Sequence, residues 1–249
     1  MTISIITVVY NNEATIRQAI ESVLTQSYPK IEYVIIDGNS KDNTVSIIEE
    51  YKNRLGFFIS EPDKGLYDAM NKGIQVATGD VIGILNSDDL YQDSDVLTDI
   101  MNQFNADSTL DIVYGNLVYV KKEEVNQVVR NWKSKEYYTK FFDDGNVPPH
   151  PSLFLKNTVY KKVGLFNLEF KLASDYEFMF RVFKKNHFKS KYINRLIVKM
   201  RLGGETNKSI LNIINQNKEI LKAWKQNGLN PPLRLMPLRI SKKLIQFIK

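Results

Sequence analysis

Two adjacent carboxylates, Asp88 and Asp89, stand directly behind an apolar run, Val81 to Leu85, in the turn NSDD at residues 86–89. At the end of a strand such a pair supplies the hard oxygen ligands that Mg²⁺ or Mn²⁺ takes beside a diphosphate. It would serve equally as a solvated turn that caps a helix leading toward Leu97. Asp37-Gly38 repeats the arrangement after another apolar run: the carboxylate can accept hydrogen bonds from a ribose or a base edge, and the glycine lets the backbone approach closely. Asp175 opens the helix-patterned stretch Tyr176 to Phe183. It is either an ordinary N-cap or a carboxylate shown to a cleft from the first turn. Of the two histidines, His187 lies among lysines in KKNHFK and reads as structural. His150, in the stiff loop VPPHPS, is open between a structural role and contact with a metal, a diphosphate or an acceptor. There is no cysteine, which excludes disulfides, thiol catalysis and cysteine-held zinc. The sequence carries no GxGxxG, GxxxxGK[ST], HExxH or GxSxG, so dehydrogenase, P-loop, zincin and α/β-hydrolase readings lose their main support.

Carboxylates at strand ends need a sheet to hold them, and the first half of the chain supplies one. Ile3 to Val9 is a continuous β-branched run suited to a strand buried on both faces. Ile16, Ala19, Ile20, Val23 and Leu24 then line one helical face, and that helix ends before Tyr28-Pro29. Tyr33 to Ile36 is a second strand, followed by the turn-rich DGNSKDNT, whose Asp42 or Asn43 can cap a helix over Val45 to Tyr51. Phe57 to Ile59 is a third strand. Leu66, Ala69, Met70, Gly73, Ile74 and Ala77 mark a further helix, with Gly79 closing it. Strand after strand therefore ends in polar residues, at Asn11 and Asn12, Asp37 and Gly38, Glu61 to Lys64, and Asn86 to Asp89. In an open parallel sheet these share one edge, where ligands bind. Beyond about residue 105 the pattern turns α+β: short strands at Ile112 to Tyr114, Leu117 to Val120 and Val125 to Trp132, and helices near Asn157 to Val163, Asp175 to Asn186 and Ile210 to Trp224.

The 249 residues, 43% hydrophobic and 25% charged, fit one large domain or a domain with an appendage. No stretch reaches the roughly 18 apolar residues of a membrane span. MTISIITVVYNN lacks the basic start and cleavage site of a secretory signal, so the expected compartment is the cytoplasm. The excess of 34 Lys+Arg over 28 Asp+Glu suits anionic partners such as phosphates or acidic lipid. Much of it lies in Leu233 to Lys249, which has no acidic residue. This segment is expected either as an amphipathic helix on the inner face of an anionic membrane, its cations toward the headgroups, or as a tail packed on the domain or on a second copy. The loop from Gly203 to Thr206 is open between a cover over a diphosphate and a plain turn. The basic residues are too dispersed for nucleic-acid binding.

Taken together, TVVYNN at 7–12, IIDGNSKDNT at 35–44, SEPDKGLYDAMNKGIQVATGDVIGILNSDD at 60–89, PPHPSLF at 148–154 and ASDYEFMFR at 173–181 resemble the family 2 glycosyltransferases of GT-A fold, above all bacterial enzymes of exopolysaccharide, capsule and O-antigen assembly. The resemblance implies an α/β, mostly parallel nucleotide-binding half (1–105), an acceptor-binding half of the same domain (106–207) and a C-terminal helical segment (208–249). It implies a nucleotide-sugar pocket, for a UDP-sugar by the likeness, built by Thr7, Val9, Tyr10 and Asn11, with Asp37 and Gly38 at the base, Lys64 near the phosphates or the sugar, and Asn86 to Asp89 at the diphosphate. Asp88 would bind the Mn²⁺ or Mg²⁺, with Asp89 and His150 as further ligands to consider. Asn86 departs from the family pattern, which carries Asp there. Asp175 would be the general base of an inverting transfer, and Ser174, Glu177 and His150 would face a saccharide or lipid-linked acceptor; Ser174 replaces the family's Glu. The rival readings are a sugar nucleotidyltransferase, which would release pyrophosphate, and a non-catalytic binding module, which would bind without turnover.

Overall fold

A computed structural model describes residues 1–203 and 210–246. Residues 204–206 of the glycine loop and 247–249 of the basic tail lie outside it.

The β-branched run forms β1 (Ile3–Val9), buried along its whole length. Parallel to it on one side runs β2 (Ile31–Asp37), then β3 (Phe57–Ser60), and on the other side β4 (Val81–Ile84). The intervening helices are α1 (Ile16–Leu24), α2 (Thr44–Glu49) and α3 (Leu66–Val76). Because successive strand residues point to opposite faces, this unit feeds two cores. Ile6, Val8, Val34, Ile36, Ile82 and Ile84 pack under α3, whereas Ile3, Ile5, Tyr33, Ile35, Val81 and Leu85 pack under α1. Of the two cap candidates, Asp42 meets the first amide of α2, Thr44 N–H, at 3.0 Å; α2 itself starts one residue earlier than expected and ends at Glu49. β3 runs one residue further, to Ser60. The end of α3 is at Ala77, in extended backbone; Gly79 instead lets the chain pass close to β1.

Past the short β5 (Leu90–Tyr91) and α4 (Val96–Ala106), the second half joins the same sheet. The expected strands 112–114 and 117–120 are one strand, β6 (Ile112–Val120). Its register against β9 shifts around Asn116. One edge of β6 is shared by two antiparallel partners, β7 (Val128–Trp132) and β8 (Leu153–Lys156); β9 (Ser190–Arg201) takes the other edge in parallel. β7 starts at Val128 rather than Val125, after a turn in which Lys121 N–H bonds Gln127 O. The order among the described residues is β3-β2-β1-β4-β8-β6-β9-β5, with β7 beside β6. Here the sheet turns mixed, through antiparallel β4–β8 and β5–β9 pairing. α5 (Asn157–Val163) and α6 (Ser174–Met179) follow expectation, but α6 opens into a wide π turn over Phe180–Lys185 instead of running on as α-helix.

The last helices are α7 (Ile210–Gln226) and α8 (Leu235–Ile245). α8 does not lie with its cations outward. Leu235 is fully buried, Lys242 Nζ donates to Asp144 O and Asn146 Oδ1 at 2.6 Å each, and the Arg239 guanidinium sits 4.9 Å from the centre of the Tyr176 ring. Ile240 and Ile245 face solvent. The helix is thus fixed to the domain, as in the packed-tail alternative, through cations that the membrane alternative turns toward headgroups. No described helix is long and apolar enough to cross a membrane.

Candidate active site

The C-terminal ends of β1, β2 and β4 meet along one edge, and their loops are tied to one another by side chains. Asn11 takes a left-handed backbone, φ 47°; its N–H donates to Ser40 Oγ (2.8 Å) and its Oδ1 accepts from Lys41 N–H (2.7 Å). Asn12 N–H donates to Thr44 Oγ1 and Asn12 Nδ2 to Ser87 Oγ, at 2.8 and 2.9 Å. Thr15 Oγ1 donates to Ser87 O at 3.0 Å. Asp37 is fully buried, and its carboxylate accepts from Ser40 N–H (2.9 Å), Ser60 Oγ (2.6 Å) and the Ser40 hydroxyl. Gly38 has no room for a side chain: a Cβ there would stand 2.5 Å from Asp63 Oδ2 and 3.4 Å from the Tyr10 ring. Tyr10 itself is 61% exposed, an aromatic face left open at the edge.

The expected site residues therefore divide. Tyr10, Asn11, Gly38, and the exposed Lys64 on the loop entering α3, are at the edge. Thr7 and Val9 are buried in the sheet, with the Thr7 hydroxyl accepting from Tyr33 OH at 3.0 Å. Their part is to set the strand.

The turn 86–89 separates its two carboxylates. Asp89 is fully buried, accepting from Asn86 Nδ2 at 2.9 Å and from Arg201 N–H at 3.3 Å. Burial, and then the charge of Asp88, push its carboxyl well above the usual range. Asp88 is only partly buried; burial raises its pKa while Arg201 and Lys122 oppose the rise. Arg201 straps the turn, donating from Nη1 to Asp88 O (2.6 Å), from Nε to Lys122 O (3.0 Å) and from Nη2 to the Gln18 side chain. Asn86 Oδ1 is buried and has no hydrogen-bond donor. An unanswered amide oxygen two residues before Asp88 is of the hard-oxygen type a cation accepts, and Mg²⁺ characteristically takes one or two protein ligands, completing its shell with water and phosphate oxygens. Asp89 is committed to the turn instead. Among the described residues no three His, Asp or Glu side chains gather to form a protein-only cage, and His150 stands elsewhere.

Asp175 occupies the first turn of α6. Its Oδ1 accepts from Tyr67 OH at 3.1 Å and from Tyr176 N–H at 2.8 Å. Tyr67 comes from α3, so a side chain from the first half of the chain reaches a carboxylate in the second. Burial, and then the Asp175 charge, hold that phenol far above its ordinary pKa. Phe166 packs against Tyr67 (ring centres 5.7 Å), Phe178 (4.8 Å) and His150 (5.5 Å). Burial lowers the pKa of His150, with Asp175 pulling the other way. His150 thus belongs with Asp175. Two expected acceptor contacts are corrected. Glu177, two residues and roughly 200° around the helix from Asp175, is buried; it pairs with Arg181 Nε at 2.8 Å and accepts from Asn227 Nδ2 at 3.1 Å. Ser174 is buried with its hydroxyl on Asn167 O at 2.8 Å.

Residues 4–189 match the model of "Glycosyl transferase family 2". The chain belongs to that family. It is 30% identical over 183 residues, 72% of this chain and 68% of the relative, to an uncharacterized glycosyltransferase of Mycobacterium tuberculosis. It is 25% identical over 222 residues, 88% and 82%, to a PGL/p-HBAD biosynthesis glycosyltransferase of Mycobacterium bovis. Among solved structures, Staphylococcus aureus TarS in complex with UDP-GlcNAc superimposes with TM-score 0.70 at 17% identity, over 99% of this chain and 72% of that one. A Pyrobaculum calidifontis mannosyltransferase in complex with GDP-Man and Mn²⁺ gives 0.67 at 17%, over 98% and 69%. The fold of this family 2 glycosyltransferase is accordingly GT-A, and the nucleotidyltransferase reading falls away.

Several residues that build the site carried no local signal. Tyr67 and Arg201 act across 108 and 113 positions, on Asp175 and Asp88. Asn12, Ser40 and Ser60 look like ordinary loop polar residues until the loops are brought together. Asn12, Ser40, Ser60 and Tyr67 all lie within the family-like stretches, whereas Arg201 lies outside them.

Proposed function

We propose that this family 2 glycosyltransferase moves a sugar, with inversion, from a nucleotide diphosphate to an acceptor hydroxyl, with Asp175 as the general base. The observation that carries the reading is the Asp175 carboxylate, set on the first turn of α6 and oriented by Tyr67 from the nucleotide half. A sugar hydroxyl is a poor nucleophile at neutral pH, and a positioned carboxylate that removes its proton during attack is worth roughly 10²–10⁴ in rate. One displacement inverts the anomeric centre, with no covalent sugar on the protein. The Tyr67 hydrogen bond fixes which Asp175 oxygen is engaged and leaves the other for the proton.

On the donor side, Tyr10 offers an aromatic face to a base, Asp37 and Gly38 form the floor under it, and Asn11, Lys64 and the turn Asn86 to Asp89 face the sugar and the diphosphate. Mn²⁺ or Mg²⁺, held by Asp88 with the Asn86 oxygen, would neutralise charge growing on the leaving diphosphate. The structural neighbours' UDP-GlcNAc and GDP-Man support a nucleotide-sugar donor; a UDP-sugar is the donor we propose. The relative named for PGL/p-HBAD biosynthesis supports a saccharide acceptor, lipid-linked, in surface glycolipid or polysaccharide assembly at the inner face of the membrane. The division at residues 105 and 207 into donor half, acceptor half and helical tail belongs to the same reading.

The test pairs two variants with a nucleotide-sugar panel in Mn²⁺ or Mg²⁺. Asp175→Asn keeps the size of the side chain and an oxygen for Tyr67 OH and Tyr176 N–H, so donor affinity by calorimetry should hold while transfer falls at least about a hundredfold. Asp88→Asn should abolish the metal-dependent part of donor binding. Near-normal transfer by Asp175→Asn would move the base to another residue.

A further inference from the structure

The outward side of α8 is apolar. Leu233, just before the helix, is fully exposed; Pro237 and Ile240 stand exposed four and seven residues on, and Ile245 at the far end. At about 100° per residue, Leu233, Pro237 and Ile240 make one stripe that points away from the buried Leu235. The ground on which the helix lies is basic. Residues 130–146 run beneath and beside it: Asn131 N–H donates to Gln246 O at 3.0 Å, Lys242 Nζ reaches Asp144 O and Asn146 Oδ1, Arg234 pairs with Asp144 at 3.1 Å, and a Cβ on Gly145 would stand 2.9 Å from Arg239 N. Together, residues 130–146 and 233–246 hold eight of the 34 Lys and Arg but only three of the 28 Asp and Glu, so two segments that pack on each other carry +5 of the chain's formal +6. Lys133, Lys135 and Lys140 are exposed. So is the Tyr138 ring, with Lys135 Nζ at 5.1 Å from its centre and its hydroxyl donating to Asp144 at 2.8 Å.

Exposed aliphatic side chains are ordinary by themselves, and positive charge by itself attracts any anion. Here the two coincide on one face. A second copy of the chain would cover the stripe, but a two-fold axis through it would set one basic face against another. A nucleic acid would use the cations and leave Leu233 and Ile240 in water. An anionic bilayer answers both, because the stripe can enter the boundary between headgroups and acyl chains while ammonium groups meet the headgroups and a tyrosine rests between them. We propose that the outward face of α8 seats this protein on an anionic lipid surface, with Leu233 and Ile240 entering the acyl boundary and Lys133, Lys135 and Lys140 meeting the headgroups. The inward side of the same helix touches α6, where the Arg239 guanidinium lies 4.9 Å from the Tyr176 ring centre. Docking therefore brings the first turn of α6 within about one helix diameter, roughly 10 Å, of the headgroups, which suits an acceptor that stays in the membrane. The inference rests on the membrane location in the reading above and gives it a contact face.

The test floats the full chain with vesicles of phosphatidylglycerol mixed into phosphatidylcholine, and with phosphatidylcholine alone. Wild type should float with the mixed vesicles and lose most of that binding when phosphatidylglycerol is left out or salt is raised. Leu233→Glu and Ile240→Glu should each lower the partition about tenfold or more, the loss of one apolar side chain from the boundary, and Ile240→Leu should restore it. Lys133→Gln with Lys135→Gln should lower it about tenfold or more on the mixed vesicles. These positions are exposed, so melting temperature and UDP affinity should stay those of wild type. A wild type that ignores the mixed vesicles overturns the proposal, as does equal binding to phosphatidylcholine alone or an unchanged partition of both Glu variants. A dimer in the ultracentrifuge that Ile240→Glu dissolves, without vesicle binding, also overturns it and gives the stripe to a second copy. Asp175→Asn should float as wild type does, so failed flotation leaves the assignment of the base standing, and a transfer-competent Asp175→Asn leaves the docking face standing.

Discussion

Asp88 and Asp89 are the same residue type in consecutive positions, yet one is half-buried and the other fully buried. The choice is made by Arg201, 112 residues beyond Asp89. Asp175 and Glu177 are divided the same way, by half a helical turn. Local sequence therefore disclosed which residue types were present, and it was the family resemblance, not spacing, that singled out Asp88 and Asp175 within each pair. His150 allows a measurement at this scale. Its folded pKa lies below the ordinary 6.5, so between those values the unfolded chain binds the proton more readily and stability rises with pH. Its contribution is complete above about 6.5 and is lost as pH falls through the folded value. Urea midpoints of wild type and His150→Gln, taken across pH 5 to 8, should show a slope that the variant lacks. Parallel curves would mean that His150 stays solvated.

At the scale of elements, α3 shows how a side-chain-free position acquires a purpose that periodicity does not reveal. Gly79 follows the helix by two residues and looks like its terminator. In the fold, a Cβ at Gly79 would meet Ser4 N at 2.7 Å and Ser4 Oγ at 2.5 Å, and Gly79 N–H donates to that hydroxyl at 2.8 Å. The chain must brush the backbone of β1 to enter β4 in register. Gly79→Ala should cost about 1–3 kcal/mol, seen as a lower denaturant midpoint with unchanged m value; an unchanged midpoint would mean that β1 gives way freely. The parallel strands β1 to β4 were legible because each is an apolar run with its own polar terminus. β8 and β9 were not: β8 has only three apolar residues, Leu153 to Leu155, before Lys156 and a helix, and β9 interleaves Lys191, Asn194, Arg195 and Lys199 with apolar residues, so neither period stands out.

Across the whole molecule, the proposed nucleotide and acceptor halves share one sheet, joined where β4 pairs with β8 and β5 with β9. One core cluster runs from Ile6 and Ile82 through Phe142 and Phe180 to Trp224 and Leu235. Thermal unfolding should accordingly be a single calorimetric transition, with van't Hoff and calorimetric enthalpies equal, and UDP should shift all of it upward. Two resolved transitions, only one of them responsive to UDP, would show that the halves melt separately.

The strap that Arg201 throws over the turn at residues 86–89 also has a consequence in time. The ribosome finishes β1 to β4, and even the whole family-matched stretch to residue 189, before β9 exists to pair with β5 or Arg201 exists to hold Asp88 and Gln18. Contacts of such long sequence separation form late, after the loop-closure entropy has been met. A nascent chain stalled short of residue 201 would carry the proposed donor-binding residues with the turn at residues 86–89 still unfastened, so competence for nucleotide sugar should arrive abruptly, near the end of synthesis, rather than growing with length.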